Sequence, residues 1–134
     1  QLPGIQATIV GDGPEKEGLQ KKVSRLGLEK NITLTGALDH RSAIVLLERS
    51  KILLHPSSYE GFATVGLEAL YAGCRVISHI APMHKPVDNW YIAPDLESMT
   101  ALSGKLLTLP TLTVPPNFPF TMDRSAAAFM ALYD

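Results

Sequence analysis

Residues 52–78 read ILLHPSSYEGFATVGLEALYAGCRVIS, and this stretch decides the fold. Ile52-Leu53-Leu54 is an uninterrupted apolar triplet, as expected for a parallel strand buried on both faces. Pro56 to Phe62 is too rich in turn formers for regular structure. From Thr64 the apolar pattern turns helical through Val65, Leu67, Ala69 and Leu70 and stops at Gly73. Arg75-Val76-Ile77-Ser78 then returns to β-branched, strand-like sequence. Strand, loop, helix, strand is a βαβ unit, and it implies a parallel sheet covered by helices.

The same alternation extends outward in both directions. Upstream, residues 5–10 (IQATIV) form a predicted strand that stops at the turn Gly11-Asp12-Gly13-Pro14. Leu19, Val23 and Leu26 follow at helical spacing, with Gly27 where a C-terminal cap belongs. A second strand over 31–34 closes at Gly36, and Asp39 or Ser42 can cap the next helix, which ends near Ser50. Downstream, 90–92 (WYI) is a fifth strand and 95–107 a helix, with Leu96, Met99, Leu102 and Leu106 on one side. Four prolines between 110 and 119 mark a rigid, extended connection, and a last helix is expected over 123–133. The predicted fold class is α/β, a Rossmann-like parallel sheet with helices on both faces. Ligands of such sheets gather at the carboxyl ends of the strands, which brings forward the loops 11–15, 36–40 and 56–64.

Composition bounds the function. The 134 residues amount to one ordinary domain, with 46% hydrophobic and 19% charged residues, a globular balance. A net charge of −1 argues against a nucleic-acid coat or a polybasic membrane anchor. The single cysteine, Cys74, excludes a disulfide framework and any multi-cysteine zinc site, and it fits a reducing, cytoplasmic setting. No apolar run approaches the roughly 18 residues of a membrane span.

The chemistry lies in the three loops. Glu60 follows a strand, Glu68 stands one turn into the next helix, and Gly61 between them lets a ligand approach the backbone. The free amides of Thr64, Val65 and Gly66 at the helix start favour an anion such as a diphosphate. A carboxylate repels phosphate but accepts hydrogen bonds from vicinal hydroxyls, so the grouping suits a ligand with hydroxyls on both sides of a phosphate. On spacing alone Glu68 could equally be a solvated helix residue, and Gly61-Phe62 a loop with a hydrophobic plug.

Residues 56–77, PSSYEGFATVGLEALYAGCRVI, resemble the E-x7-E signature of retaining glycosyltransferases of family 4, which have the two-domain GT-B fold. Ile9 to Glu15 (IVGDGPE) resembles that family's glycine turn, and Asn31 to Gly36 its second strand. Phe120-Thr121-Met122-Asp123 is similar to the start of its closing helix. The resemblance spans residues 5–78 and identifies residues 1–134 as a single nucleotide-sugar-binding domain, the second half of a GT-B fold. It implies a fragment lacking its first strand–helix unit and the N-terminal acceptor domain. It also implies that Glu60, as the catalytic residue, meets hydroxyls of the donor hexose and Glu68 the ribose. Gly61, Phe62, Thr64 and Val65 would line the sugar and diphosphate, with Gly11 and Gly36 bordering the nucleotide. The family transfers a hexose from a nucleotide-sugar to an acceptor with retention, and without an obligatory metal or other cofactor. Membrane contact would come only through the absent domain.

One loop departs from the family. After Ser78 a glycine-rich, acidic loop is usual, whereas residues 79–86 read HIAPMHKP, where Lys85 could restore positive charge. This departure motivates the alternative of a non-catalytic nucleotide-binding or assembly module with a degenerate site. His40, His55, His79 and His84 show no metal-ligand spacing, and the Gly11-x-Gly13 pair lacks the third glycine of a dinucleotide fingerprint. Cys74 beside Gly73 reads as a packing residue. Met122, Phe129 and Met130 form an apolar stripe that could drive self-association.

Overall fold

The computed structural model describes residues 4–58, 64–81 and 86–119. The chain divides into two compact units, Gln1–Ala43 and Ile44–Asp134.

The first unit holds β1 (Ala7–Val10), α1 (Lys16–Arg25) and β2 (Ile32–Gly36). β1 and β2 pair in parallel, Ala7 opposite Ile32 and Val10 opposite Gly36, with an irregularity between Ile9 and Val10. The Asn31 side-chain amide donates to the Ile5 carbonyl at 2.9 Å, so the pairing is anchored just before the strands begin. α1 ends as its sequence predicts. Gly27 adopts φ +65° and donates to the Ser24 carbonyl, while Leu28 N–H returns to Val23.

The chain continues through α2 (His40–Glu48) into the second unit, which holds β3 (Ile52–His55), α3 (Thr64–Tyr71), β4 (Arg75–Ser78), β5 (Trp90–Ile92) and α4 (Leu96–Leu107). Asp39 caps α2. It accepts the Ser42 amide at 2.9 Å and the Ser42 hydroxyl at 2.7 Å, and these bonds hold its carboxyl below the ordinary range. The three strands form a parallel sheet in the order β3-β4-β5.

The core sits on both faces of β4. On one face Ala69, Leu70, Cys74, Val76 and Trp90 pack with Leu47; on the other, Ile77 and Ala93 pack with Met99 and Leu106 of α4. Every residue of β4 is buried, as a central parallel strand requires. β3 corrects its expectation of burial on both faces: it is an edge strand of this sheet, and Leu54 is half exposed. The strands also form two sheets, β1-β2 and β3-β4-β5.

The proline-rich connection carries no helix or strand up to residue 119, and it is tied down. The Arg75 guanidinium, buried at the start of β4, donates to the carbonyls of Thr111 and Leu112 and to the Thr111 hydroxyl at 2.8 Å. Lys51 reaches the carbonyls of Leu107 and Leu109. Val114 and Asn117 amides bond to Gly73 and Leu70, so the segment covers the carboxyl end of α3. The predicted last helix, with Met122, Phe129 and Met130, lies outside the described residues.

Candidate functional site

In the first unit the parallel pairing of β1 and β2 puts the turns after both strands on one edge. Gly11 (φ +134°) and Gly36 (φ +75°) meet there, the Gly11 amide donating to the Gly36 carbonyl at 2.9 Å. Both need the conformational freedom of glycine. A hollow of about 270 Å³ opens beside them, walled by Ile9, Leu19 and Leu34 and rimmed by the Gly11–Pro14 backbone. Lys16, a half-buried residue on the same rim, was not foreseen as a site residue. Its ammonium lies 3.3 Å from Asp12, and a Cβ on Gly36 would come within 2.9 Å of it. The one sequence signal was the i, i+4 spacing from Asp12, which also occurs on ordinary helix surfaces. The turn therefore sets the Lys16–Asp12 ion pair and a glycine-rich backbone beside an apolar wall.

In the second unit α3 is the next element in the chain after β3. Thr64 is the exposed first residue of α3, Val65 is half-buried, and Glu68 is half-buried on the same helix. Ala69 and Leu70 are completely buried and fix α3 against β4. Glu60, Gly61 and Phe62 lie outside the described residues, as does Lys85. Because the strands are parallel, the start of the 79–86 loop stands on the same edge as the loop after β3. There His79 Nδ1 lies 2.6 Å from the Ala93 carbonyl, which can only accept, so the ring donates from Nδ1. Asp95 follows as the N-cap of α4 in a reciprocal capping box with Ser98. The Ser98 amide and hydroxyl lower its carboxyl pKa, with a small further contribution from His79.

The other candidates take structural places. Cys74 is fully buried, and burial pushes its thiol up to about 11, as befits a packing residue rather than a nucleophile. His55 is half-buried at the end of β3. Among the described residues no three His, Cys, Asp or Glu side chains are grouped as a metal site. No helix among them is long and apolar enough to cross a membrane.

Parallel strands alternating with helices in both units define a Rossmann-like α/β architecture. Its likeness to a GT-B enzyme is direct: sucrose-phosphate synthase from Thermosynechococcus elongatus superposes with a TM-score of 0.71, covering 99% of this chain and 39% of that one at 21% identity. The sequence profile of the family described as "Glycosyl transferases group 1" matches residues 1–87, and the chain belongs to that family. It is 30% identical over 78 residues to the 2-deoxystreptamine N-acetyl-D-glucosaminyltransferase of Niallia circulans, covering 58% of this chain and 20% of that protein. It is 35% identical over 78 residues to the phosphatidylinositol N-acetylglucosaminyltransferase gpi3 subunit of Schizosaccharomyces pombe, covering 58% and 17%. Glycogen synthase of Mycobacterium tuberculosis is 33% identical over 88 residues, covering 65% and 21%. The matches thus span about a fifth of each relative.

Proposed function

We propose that this chain is the donor-binding part of a retaining, family 4 glycosyltransferase that moves a hexose from a nucleoside-diphosphate sugar to an acceptor. The observation that carries the reading is the E-x7-E stretch, whose second carboxylate, Glu68, is half-buried on a helix rising from the carboxyl edge of a parallel sheet. Relatives that match this chain over 78 residues bear glycosyltransferase names.

In this reading the roles are those that the family resemblance implies. The amides at the start of α3, including those of Thr64 and Val65, face the diphosphate and stabilise charge on it as the glycosidic bond breaks. Glu68 accepts from the ribose hydroxyls, and Glu60 from hydroxyls of the hexose beside the reacting carbon. Gly61 and Phe62 contribute backbone to the sugar site, and Gly11 and Gly36 border the nucleotide. No metal is required, because the leaving charge meets backbone dipoles and cations. Acceptor recognition belongs to another part of the protein, which would also supply any membrane contact. The reading places the protein in the cytoplasm, where nucleotide-sugars and a free thiol coexist, and allows self-association through the stripe of Met122, Phe129 and Met130.

Titration of the chain with uridine and guanosine diphosphates, followed by amide NMR, tests the reading. Shifts clustered at Gly11, Gly36 and Thr64 are expected. A silent spectrum with both nucleotides overturns it in favour of a non-catalytic module. Glu68→Gln keeps the shape of the side chain but removes its charge, and should weaken binding by about 1.5–3 kcal/mol, the value of a hydrogen bond to a charged group. Glu60→Gln in the intact enzyme should lower turnover far more than it alters the unfolding midpoint.

A further inference from the structure

Gly66 stands in the first half of α3 at ordinary helical φ, where glycine is disfavoured relative to alanine and nothing in the local backbone asks for it. The reason lies across the fold. A Cβ built on Gly66 would collide with Cη2 of Trp90 and come within 2.8 Å of Cζ2 and Cζ3. The indole therefore occupies the volume that any side chain at position 66 would fill. It is held there from the other side: Trp90 Nε1 donates to Ser78 Oγ at 2.7 Å, and that hydroxyl donates onward to the Ile80 carbonyl at 2.7 Å. Trp90 and Ser78 are both buried. One ring thus joins β5, the end of β4, the start of the loop after β4, and the first turns of α3.

We propose that Gly66 and Trp90 are a positioning pair, in which the missing side chain seats the indole under α3 and so sets where Glu68 and the opening amides of the helix stand at the ligand edge. The proposal rests on the donor-binding reading above and adds to it residues that touch no ligand themselves. Glu68 follows Gly66 by two positions and Thr64 precedes it by two, so a lift of α3 off the ring displaces both. Packed interiors do not absorb an added methyl without such a shift.

Trp90 is the single tryptophan of the sequence, so its fluorescence reports the seat directly. The experiment compares the chain with Gly66→Ala, Trp90→Phe and Gly66→Ala/Trp90→Phe, measuring Trp90 emission where the ring remains, the melting temperature, and the Kd for uridine or guanosine diphosphate. Gly66→Ala should red-shift the emission and weaken nucleotide binding by about ten-fold or more, as misplaced ligand-binding groups do. The shorter Phe ring frees the volume beside residue 66, so the double variant should bind within about two-fold of the original chain, the margin of ordinary additivity. It should nonetheless melt lower, having lost the indole and its hydrogen bond, and this separates positioning from stability. Should Gly66→Ala fail to fold, Trp90→Phe alone decides: weakened binding supports the pair and unchanged binding overturns it. Unchanged affinity in a folded Gly66→Ala, or a double variant as weak as the single, also overturns it. An original chain that binds neither nucleotide overturns the donor-binding reading itself, a different result from these.

Discussion

Cys74 shows how far a single side chain can be read. It directly follows Gly73, where α3 gives way to β4, and no part of it is exposed. Desolvation penalises the thiolate and raises its pKa from 9.0 to about 11, against smaller opposing effects of a backbone hydrogen bond and Arg75. The folded state therefore keeps the proton that the unfolded chain releases first. Stability from this group is fully present below pH 9 and is lost as pH rises toward 11. Urea midpoints should fall across that window in the original chain and fall less in Cys74→Ala. A thiol reagent at neutral pH should react only after denaturation, and rapid labelling of the folded chain would contradict this placement. Packing was legible here because a small apolar residue after a helix-ending glycine has few other uses. Lys16 was not legible, because its nearness to Gly36 arises only when the turn after β1 closes against the end of β2.

At the scale of elements, β4 and β5 fall where their β-branched and aromatic runs end, and α4 begins after the Asp95 cap. Those boundaries are set by local chemistry, which a sequence carries in full. Leu54 failed the expectation of burial because an apolar triplet reads alike in a central and an edge strand; only pairing partners distinguish them. The Gly66–Trp90 contact was invisible for the same reason, since it joins elements 24 positions apart. The connection after α4 is the sharpest case. Its prolines announce an extended path, but nothing in them announces Arg75, an arginine in a buried strand that is satisfied by carbonyls of that path. The planar fork matters more than the charge: two nitrogens serve Thr111 and Leu112 at once. Arg75→Lys retains the cation but not the fork, and should cost about 1–3 kcal/mol in urea unfolding. Amides of Val114 and Asn117 should then exchange faster, as the segment loosens from α3. A variant as stable as the original would mean that the backbone bonds to Gly73 and Leu70 hold the segment unaided.

Over the whole molecule, burial is unequally shared. Among the described residues of the first unit, Val23 is the buried hydrophobic side chain, and all four residues of β1 are exposed. In the second unit Ala69, Leu70, Cys74, Val76, Ile77 and Ala93 have no exposed surface at all. Burying apolar surface contributes about 25 cal/mol per Å², so most of the stabilising burial lies around β4. The two sets of residues proposed to meet the donor accordingly rest on different foundations. Glu68 and the start of α3 are built on the packed core, whereas Gly11 and Gly36 stand at the end of a strand pair, and Lys16 at the start of α1, with Val23 the buried hydrophobic side chain among the described residues of that unit. Opening free energies should follow the same division. Amide hydrogen exchange at neutral pH should find Val76 and Ile77 among the slowest amides. Ile9 and Leu34 should exchange at least about ten-fold faster, a difference of about 1.4 kcal/mol in opening free energy. If the donor-binding proposal holds, a nucleotide bordered by Gly11 and Gly36 should slow the amides of β1 and β2 more than those of β4, because openings that destroy its binding site become costlier by its binding free energy. Equal protection of β1 and β4 in the unliganded chain would show that the first unit draws stability from something other than its own buried side chains.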